Sequence, residues 1–129
     1  MDVYVDSGLD EFCFLLEGIA EPFLFRHTKK VTVNEAEYIA LSRTLTFLSN
    51  KSLPKDIQIN IFSDSQLMVN QLGDLYKCKR PKLIALKTKV LRQIENLRIV
   101  GHALNISWIP REENLAGIIL EERKYKRKK

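Results

Sequence analysis

Hydrophobic residues recur along this chain with two periods, and the changes between them separate predicted strands from predicted helices. Polar and apolar residues alternate over residues 2–6, and residues 12–16 follow after a turn-like connection, which predicts a hairpin of two strands. A third antiparallel strand is expected within residues 22–33. The short apolar run at residues 57–62 predicts a strand buried on both faces, and residues 105–109 predict a last short strand.

The remaining segments have the period of a helix. The first predicted helix has Asn34 as its N-cap and an apolar stripe at spacings of three and four, formed by Tyr38, Leu41, Leu45 and Leu48. A second helix begins at Ser65 and stops near Gly73. A third begins at Pro81, with a stripe formed by Leu83, Leu86, Val90, Ile94 and Leu97. The terminal helix opens at Asn114 and reaches Glu122.

The predicted order of elements is β-β-β-α-β-α-α-β-α, a hairpin meander followed by strand–helix alternation. Such alternation implies right-handed crossovers and a parallel portion of sheet with helices on its faces, so we expect an α/β fold with a mixed sheet. The length of 129 residues and the apolar content of 45% fit a single domain over residues 1–122, with residues 123–129 as a basic C-terminal tail.

Composition excludes several classes of protein. No apolar run reaches about 18 residues, and no charged and apolar leader opens the chain, so we expect neither a membrane span nor a signal peptide. Two distant cysteines argue against a disulfide framework and a zinc site. We therefore expect a cytoplasmic domain, monomeric by default.

The net charge of +5 is concentrated in two blocks. Residues 123–129 hold six of the 21 basic residues and no acid, and residues 77–92 contain seven basic residues and no acid. Such blocks attract polyanions, because each neutralised phosphate releases condensed counterions. A solvated helix face and a frayed terminus would explain either block alone. The two blocks together favour a nucleic-acid partner.

Three acidic residues stand at positions where ligands bind in an α/β sheet. Asp6 lies on the first strand, Asp64 directly follows the buried strand, and Glu37 lies on the buried face of the first helix. A cluster of three carboxylates needs a compensating charge, and a hard divalent cation such as Mg²⁺ is the natural one. The alternative is that Asp64 only caps the following helix while the other two pair with lysines.

Three motifs in the chain resemble the type 1 ribonuclease H family. They are NEAEYIAL at residues 34–41, INIFSDSQLMVNQ at residues 59–71 with YKCK at residues 76–79, and WIPREEN at residues 108–114. The resemblance covers residues 1–120 in the same order and at similar spacing. It implies the ribonuclease H-like fold, a five-stranded mixed sheet flanked by helices.

The resemblance also implies an activity and a set of site residues. Asp6 corresponds to the acid that bridges two metal ions, with Glu37 and Asp64 completing the site, and Mg²⁺ or Mn²⁺ is the expected cofactor. The implied function is an endonuclease that cleaves the RNA strand of RNA–DNA hybrids. The expected nucleic-acid contacts are Asn34, Ser65, Lys77, Lys79, Arg80 and Lys82.

One position departs from the family. In relatives the last helix supplies a fourth carboxylate, but here the run Asn114-Leu115-Ala116-Gly117 places Gly117 where the aspartate is expected. Glu113 and Glu121 are expected one turn either way on the same helical face, each displaced by about 6 Å along the axis. Activity is therefore expected to be weakened. The alternatives are a lapsed nucleic-acid-binding module, for example within a ribonucleoprotein, and a nuclease completed by a larger assembly.

Other candidate residues are assigned no chemistry. Trp108 is expected in the core, although it could serve as a stacking platform, and Phe14, Phe62 and Met68 are also expected in the core. His27 and His102 match no motif and receive no role.

Overall fold

The elements follow one another in the predicted order. A computed structural model describes the backbone of residues 1–128 and the side chains of residues 1–126. The strands of this part of the chain are β1 (Asp2–Ser7), β2 (Glu11–Leu16), β3 (Phe23–Arg26), β4 (Gln58–Ser63) and β5 (Ala103–Trp108). Its α-helices are α1 (Val33–Asn50), α2 (Gln66–Leu72), α3 (Pro81–Ile99) and α4 (Leu115–Lys128), with a short 3₁₀ helix over Arg111–Glu113.

The strands form one mixed sheet in the spatial order β3-β2-β1-β4-β5. β1 pairs antiparallel with β2 and parallel with β4, while β5 pairs parallel with β4. The carboxyl ends of β1, β4 and β5 therefore meet at one edge, which is where an open sheet binds ligands. The predicted class, an α/β fold with a five-stranded mixed sheet flanked by helices, is confirmed.

The main core lies between one face of the sheet and helices α1 and α3. The α1 residues Tyr38, Leu41, Leu45 and Leu48 are at most 1% exposed and pack in a cluster that includes Val3, Val5, Ile59 and Ile61. A second cluster of Cys13, Ala116 and Leu120 lies on the other face. Because side chains alternate between faces along a strand, α4 covers the face of β1 and β2 that α1 does not.

Helix α1 begins two residues earlier than the sequence indicated, and the predicted cap at Asn34 is wrong. Thr32 is the N-cap: its Oγ1 accepts a hydrogen bond from the backbone N–H of Glu35 at 3.2 Å. The Glu35 carboxylate accepts in return from the Thr32 N–H at 3.0 Å. This reciprocal capping box satisfies the N–H groups of Thr32 and Glu35, which the Asn34 side chain could not do from inside the helix.

The terminal helix extends beyond Glu122, where the predicted domain ends. It continues through Lys128, and Arg123 forms a bidentate pair with the buried Glu11, with Nε–Oε1 and Nη2–Oε2 distances of 2.8 and 3.2 Å. Most of the predicted tail is therefore helical; Lys129 lies outside the described residues. None of the described helices is both long and apolar enough to cross a membrane.

The prediction that Trp108 lies in the core is wrong. Trp108 is 47% exposed, because it is the last residue of β5, which is an edge strand of the sheet. The predicted third strand is also shorter than residues 22–33, since β3 ends at Arg26 and residues 27–32 form a loop.

Candidate active site

Three carboxylates meet at the carboxyl edge of the parallel strands. Asp6 extends from β1, Asp64 directly follows β4, and Glu37 lies in the second turn of α1. Each offers one oxygen, and these oxygens lie within 4.8 Å of one another. Asp6 and Glu37 are only 7% and 5% exposed, and Asp64 is half-buried. The structure thus brings together the three predicted metal ligands, which we call the carboxylate cluster.

Protein groups alone do not neutralise the carboxylate cluster. Burial, followed by repulsion from Asp64, raises the pKa of Asp6 to about 7. Burial, followed by repulsion from Asp6 and Asp64, raises the pKa of Glu37 to about 9, although Arg111 opposes both shifts. Three carboxylate oxygens lie close together with little positive charge near them, which fits a hard divalent cation, since such ions prefer oxygen ligands. A bound cation would lower the raised pKa values of Asp6 and Glu37.

Asn114 fixes the orientation of the Asp64 carboxylate. Asn114 is fully buried; its Nδ2 donates to the Asp64 Oδ2 at 3.1 Å and to the Val5 carbonyl at 3.0 Å. The Asn114 Oδ1 also accepts from the N–H of Ala116 at 3.2 Å, so the residue that caps α4 also holds Asp64. The sequence indicated only that Asn114 starts a helix, because its reach to β1 and Asp64 depends on the tertiary fold.

Gly117 faces the carboxylate cluster directly. A Cβ added at this residue would lie 3.2 Å from the Oδ2 of Asp6 and 3.4 Å from the Oδ2 of Asp64. A side chain at this position would therefore project into the cluster, and glycine supplies no ligand there.

Neither glutamate that was considered as a replacement belongs to the cluster. Glu113 lies in the 3₁₀ helix before α4, so it does not share a helical face with Gly117 as predicted. The Glu121 side chain is 66% exposed and pairs with Arg111 at 3.4 Å. Among the described residues, the grouping of potential metal ligands consists of Asp6, Glu37 and Asp64 alone.

His27, to which the sequence assigned no role, is linked to the carboxylate cluster through Ser7. Its Nε2 is 2.7 Å from the Oγ of Ser7, and the backbone N–H of Ser7 donates to the Oε1 of Glu37 at 3.3 Å. Burial lowers the pKa of His27 from its ordinary value. No sequence motif links residues 7, 27 and 37, and the contact arises only because β3 leads back to the turn after β1.

The predicted nucleic-acid contacts lie around this edge. Ser65 follows Asp64 and caps α2 by accepting from the N–H of Met68 at 3.2 Å, and Asn34 lies half-buried in the first turn of α1. The remaining predicted contacts are exposed on the loop after α2 and the start of α3; we call Lys77, Lys79, Arg80 and Lys82 the basic segment.

A buried hydrogen-bond chain anchors the basic segment to α1. The hydroxyl of Tyr38, next to Glu37, donates to the Oε1 of Gln71 at 2.8 Å, and the Nε2 of Gln71 donates to the Lys77 carbonyl at 3.3 Å. Tyr38 and Gln71 are at most 3% exposed. The helix that carries one acid of the cluster thus also holds the start of the basic segment.

Comparison with known proteins agrees with this geometry. Residues 23–120 match the model of the reverse transcriptase-like family. The chain belongs to this family. It is a ribonuclease H-like domain, as the sequence motifs indicated. No curated protein matches the sequence significantly.

Several solved structures are similar to this ribonuclease H-like domain. Ribonuclease H1 from the halophilic archaeon Halobacterium salinarum is 22% identical, with a TM-score of 0.71 over 92% of each chain. The N-terminal ribonuclease H domain of a Mycobacterium tuberculosis protein is 20% identical, with a TM-score of 0.72 over 97% of this chain and 96% of that one. At these identities the likeness concerns the fold.

LC11-RNase H1, isolated from compost by a metagenomic approach, is 26% identical, with a TM-score of 0.72 over 92% of this chain and 90% of that one. The structure of LC11-RNase H1 in complex with an RNA/DNA hybrid is also similar, with 24% identity and a TM-score of 0.68 over 88% of this chain and 86% of that one. The family and these neighbours support a nuclease of the hydrolase class.

Proposed function

We propose that this ribonuclease H-like domain is a divalent-metal-dependent endonuclease that cleaves the RNA strand of RNA–DNA hybrids. The observation that carries the proposal is the carboxylate cluster, whose oxygens lie within 4.8 Å at the carboxyl edge of the sheet. The hybrid as substrate is supported by the similar LC11-RNase H1, which was solved with an RNA/DNA hybrid.

Asp6, Glu37 and Asp64 would hold Mg²⁺ or, alternatively, Mn²⁺. A bound divalent ion would supply activation of the attacking water and stabilisation of the leaving 3′ oxygen. The remaining contributions come from the chain itself. Asn114 holds the Asp64 carboxylate in place, and the Ser7 N–H orients Glu37. Such preorganisation matters because small displacements of reacting groups are costly in rate.

The expected nucleic-acid contacts divide by what they recognise. The exposed cations of the basic segment bind phosphates, which position the duplex without reading its sequence. Asn34 and Ser65 lie close in sequence to the acids of the cluster and are placed to contact the RNA strand, whose 2′-hydroxyls distinguish it from DNA.

Turnover is expected to be weak because position 117 provides no ligand. The three remaining acids carry less negative charge than a site with four, so metal affinity and water activation should both fall. Glu121 is held by Arg111 at 3.4 Å and does not replace the missing group.

A cleavage assay tests the proposal. Purified protein is incubated with an RNA–DNA hybrid labelled on the RNA strand, in Mg²⁺ and separately in Mn²⁺. We expect cleavage that Asp64→Asn abolishes. Asp56→Asn is the matched control, because Asp56 is exposed before β4 at the opposite edge and has a φ of 55°, which asparagine tolerates. Absence of cleavage by the parent protein at high concentration in both metals would contradict the proposal.

A second candidate function is a binding module that has lost hydrolysis. Two observations favour it: Gly117 provides no fourth carboxylate at the cluster, and the basic segment is exposed. Binding of nucleic acid needs the cations of the basic segment but does not need a fourth metal ligand. In that case hybrid or structured RNA would bind in a gel-shift assay without being cut. Metal-dependent turnover that Asp64→Asn removes would rule this alternative out.

A further inference from the structure

We propose that a cleft between β3, the loop after it and α1 binds a phosphate group of the nucleic-acid strand that continues from the carboxylate cluster. We call it the basic cleft and define it by Arg26, Lys29 and Arg43. It encloses about 180 Å³ above Phe12 and Phe25. This inference rests on the proposed function, since it names a second contact of the same substrate.

The charge of the basic cleft selects an anion. Its wall contains two arginines, a lysine and His27, and none of the described residues that line it is acidic. Arg26, Lys29 and Arg43 are exposed and form no ion pair within the described part of the chain. Arg26 lies opposite the acidic Glu11 in the β2–β3 register, so Lys29 and Arg43 are the cations that the cleft offers to a phosphodiester, whose charge cannot be titrated away near neutral pH.

Aromatic packing gives the basic cleft a defined floor. The Phe12 and Phe25 rings stack with centroids 5.4 Å apart, and the Arg43 guanidinium lies 5.3 Å from the centre of the Phe25 ring. The His27 ring lies 5.0 Å from that of Phe12. Since Phe12 is almost fully buried, the guanidinium and the imidazole rest on the hydrophobic core and lose less side-chain entropy on binding than cations free in solvent.

The basic cleft adjoins the carboxylate cluster through two residues. His27 in its wall contacts the Ser7 hydroxyl at 2.7 Å, and Ser7 donates to Glu37 at 3.3 Å. A strand whose scissile phosphate lies at the cluster would therefore pass over this cleft with a neighbouring phosphate. A second cavity of about 550 Å³ shares Arg26 and Lys29 and continues over Lys30, which gives a neighbouring phosphate a further cation, while Asp10 lines the side of that cavity nearest the turn after β1.

The basic cleft and the basic segment lie on opposite sides of the cluster. The sheet order β3-β2-β1-β4-β5 places Asp6 on β1 between the cleft, beside β3, and the basic segment, which follows α2 on the β4 side. A duplex centred on the cluster would thus be held from both sides.

Two double variants with the same charge change test the inference. Lys29→Gln with Arg43→Gln removes two cations of the basic cleft. Lys51→Gln with Lys55→Gln is the control: Lys51 lies over the Phe47 ring at 5.9 Å, as Arg43 lies over Phe25, but this pair follows α1 at the opposite edge of the sheet. Affinity for a fluorescent RNA–DNA hybrid is measured by anisotropy in chelator at several salt concentrations.

We expect the cleft variant to raise Kd roughly tenfold and to lower the salt slope by about one to two, while the control changes Kd by less than about twofold. In the cleavage assay KM should rise and kcat should stay constant. Equal effects of the two double variants on Kd and slope would overturn the inference. If the parent protein binds the hybrid but does not cleave it, the proposed nuclease activity is contradicted. The phosphate contact in the basic cleft is still tested in that case, because it is judged from the Kd values of the two double variants.

Discussion

Gly117 lies in the first turn of α4 and faces the carboxylate cluster. An aspartate there would have its Cβ 3.2 Å from the Asp6 carboxylate, so that carboxylate must shift by a few tenths of an ångström to admit it. We expect Gly117→Asp to raise the rate of hybrid cleavage in Mg²⁺ by at least about tenfold, because a metal ligand lost from an active site typically costs more than this.

Gly117→Asn is the control for this prediction, since asparagine has the same shape without the charge. We expect it to leave cleavage at or below the parental rate. In chelator, Gly117→Asp should melt at a lower temperature than Gly117→Asn, because it adds a fourth negative charge to an uncompensated cluster. A parent protein that already cleaves as fast as Gly117→Asp would show that another group occupies the role.

The raised pKa values of Asp6 and Glu37 predict a pH-dependent stability of the metal-free protein. The pKa of Asp6 is raised from 3.8 to about 7, and that of Glu37 from 4.5 to about 9. At a pH between the ordinary and the raised pKa of each acid, the folded state therefore binds more protons than the unfolded chain. The free energy of unfolding therefore falls as the pH rises. We expect Tm in chelator to drop by on the order of 5 °C from about pH 5 to about pH 9.

Added Mg²⁺ should remove much of this drop, because it binds the ionised carboxylates of the folded state. The double variant Asp6→Asn with Glu37→Gln should lose the drop in the absence of metal. A parental Tm that rises over this pH range would show that the two acids are already ionised in the folded protein.

At the scale of the elements, the link from α1 through α2 to the basic segment depends on Gln71. Gln71→Leu removes the donor to the Lys77 carbonyl and leaves the buried Tyr38 hydroxyl without this acceptor, which should cost about 1–3 kcal/mol of stability. We expect KM for the hybrid to rise several-fold with kcat unchanged, because the basic segment is less well positioned while the carboxylates are untouched.

Gln93→Leu is the matched control for Gln71→Leu. The Oε1 of Gln93 accepts from the Ser42 hydroxyl at 2.8 Å and so joins α1 to α3 through a similar half-buried contact, away from the basic segment. Both variants should melt at lower temperature than the parent, but KM should change only in Gln71→Leu. An equal rise in KM would mean that general loosening, not positioning, is responsible.

At the scale of the whole molecule, α4 extends past residue 122, where the predicted domain ends, which raises the question of whether residues 123–128 stabilise the domain. A chain truncated after Glu122 loses the Arg123 guanidinium, the bidentate partner of Glu11, whose side chain is only 9% exposed. We expect this truncation to lower Tm measured by circular dichroism, because it removes a bidentate ion pair to a buried carboxylate. A chain truncated after Lys126 keeps the Arg123–Glu11 pair and should melt at a higher temperature than the chain truncated after Glu122.

Full-length Arg123→Gln should reproduce the loss of stability, which separates the ion pair from helix length. If truncation after Glu122 leaves Tm unchanged, residues 123–129 are a separate tail, as the sequence pattern predicted.

Much of the fold follows from local pattern. The alternation of residues 2–6, the stripe from Tyr38 to Leu48 and the polar boundaries of β4 depend on neighbours in the chain, and the structure has strands and helices at each of these places. Trp108 shows where such reasoning ends. The prediction of burial assumed that its strand is central, but whether a strand is central or at an edge is decided by the order of strands in space.

The sequence by itself determined the order of the elements, the acids Asp6 and Asp64 on the parallel strands with Glu37 on the first helix, and the absence of an acid at position 117. These follow from local periodicity and from the rule that parallel strands end at one edge. Only the tertiary structure decided that Gly117 faces Asp6 and Asp64, that Asn114 holds Asp64, and that His27 connects the cluster to the basic cleft. Each of these contacts joins residues at least 20 positions apart, and the distance between them is set by how the sheet and helices pack.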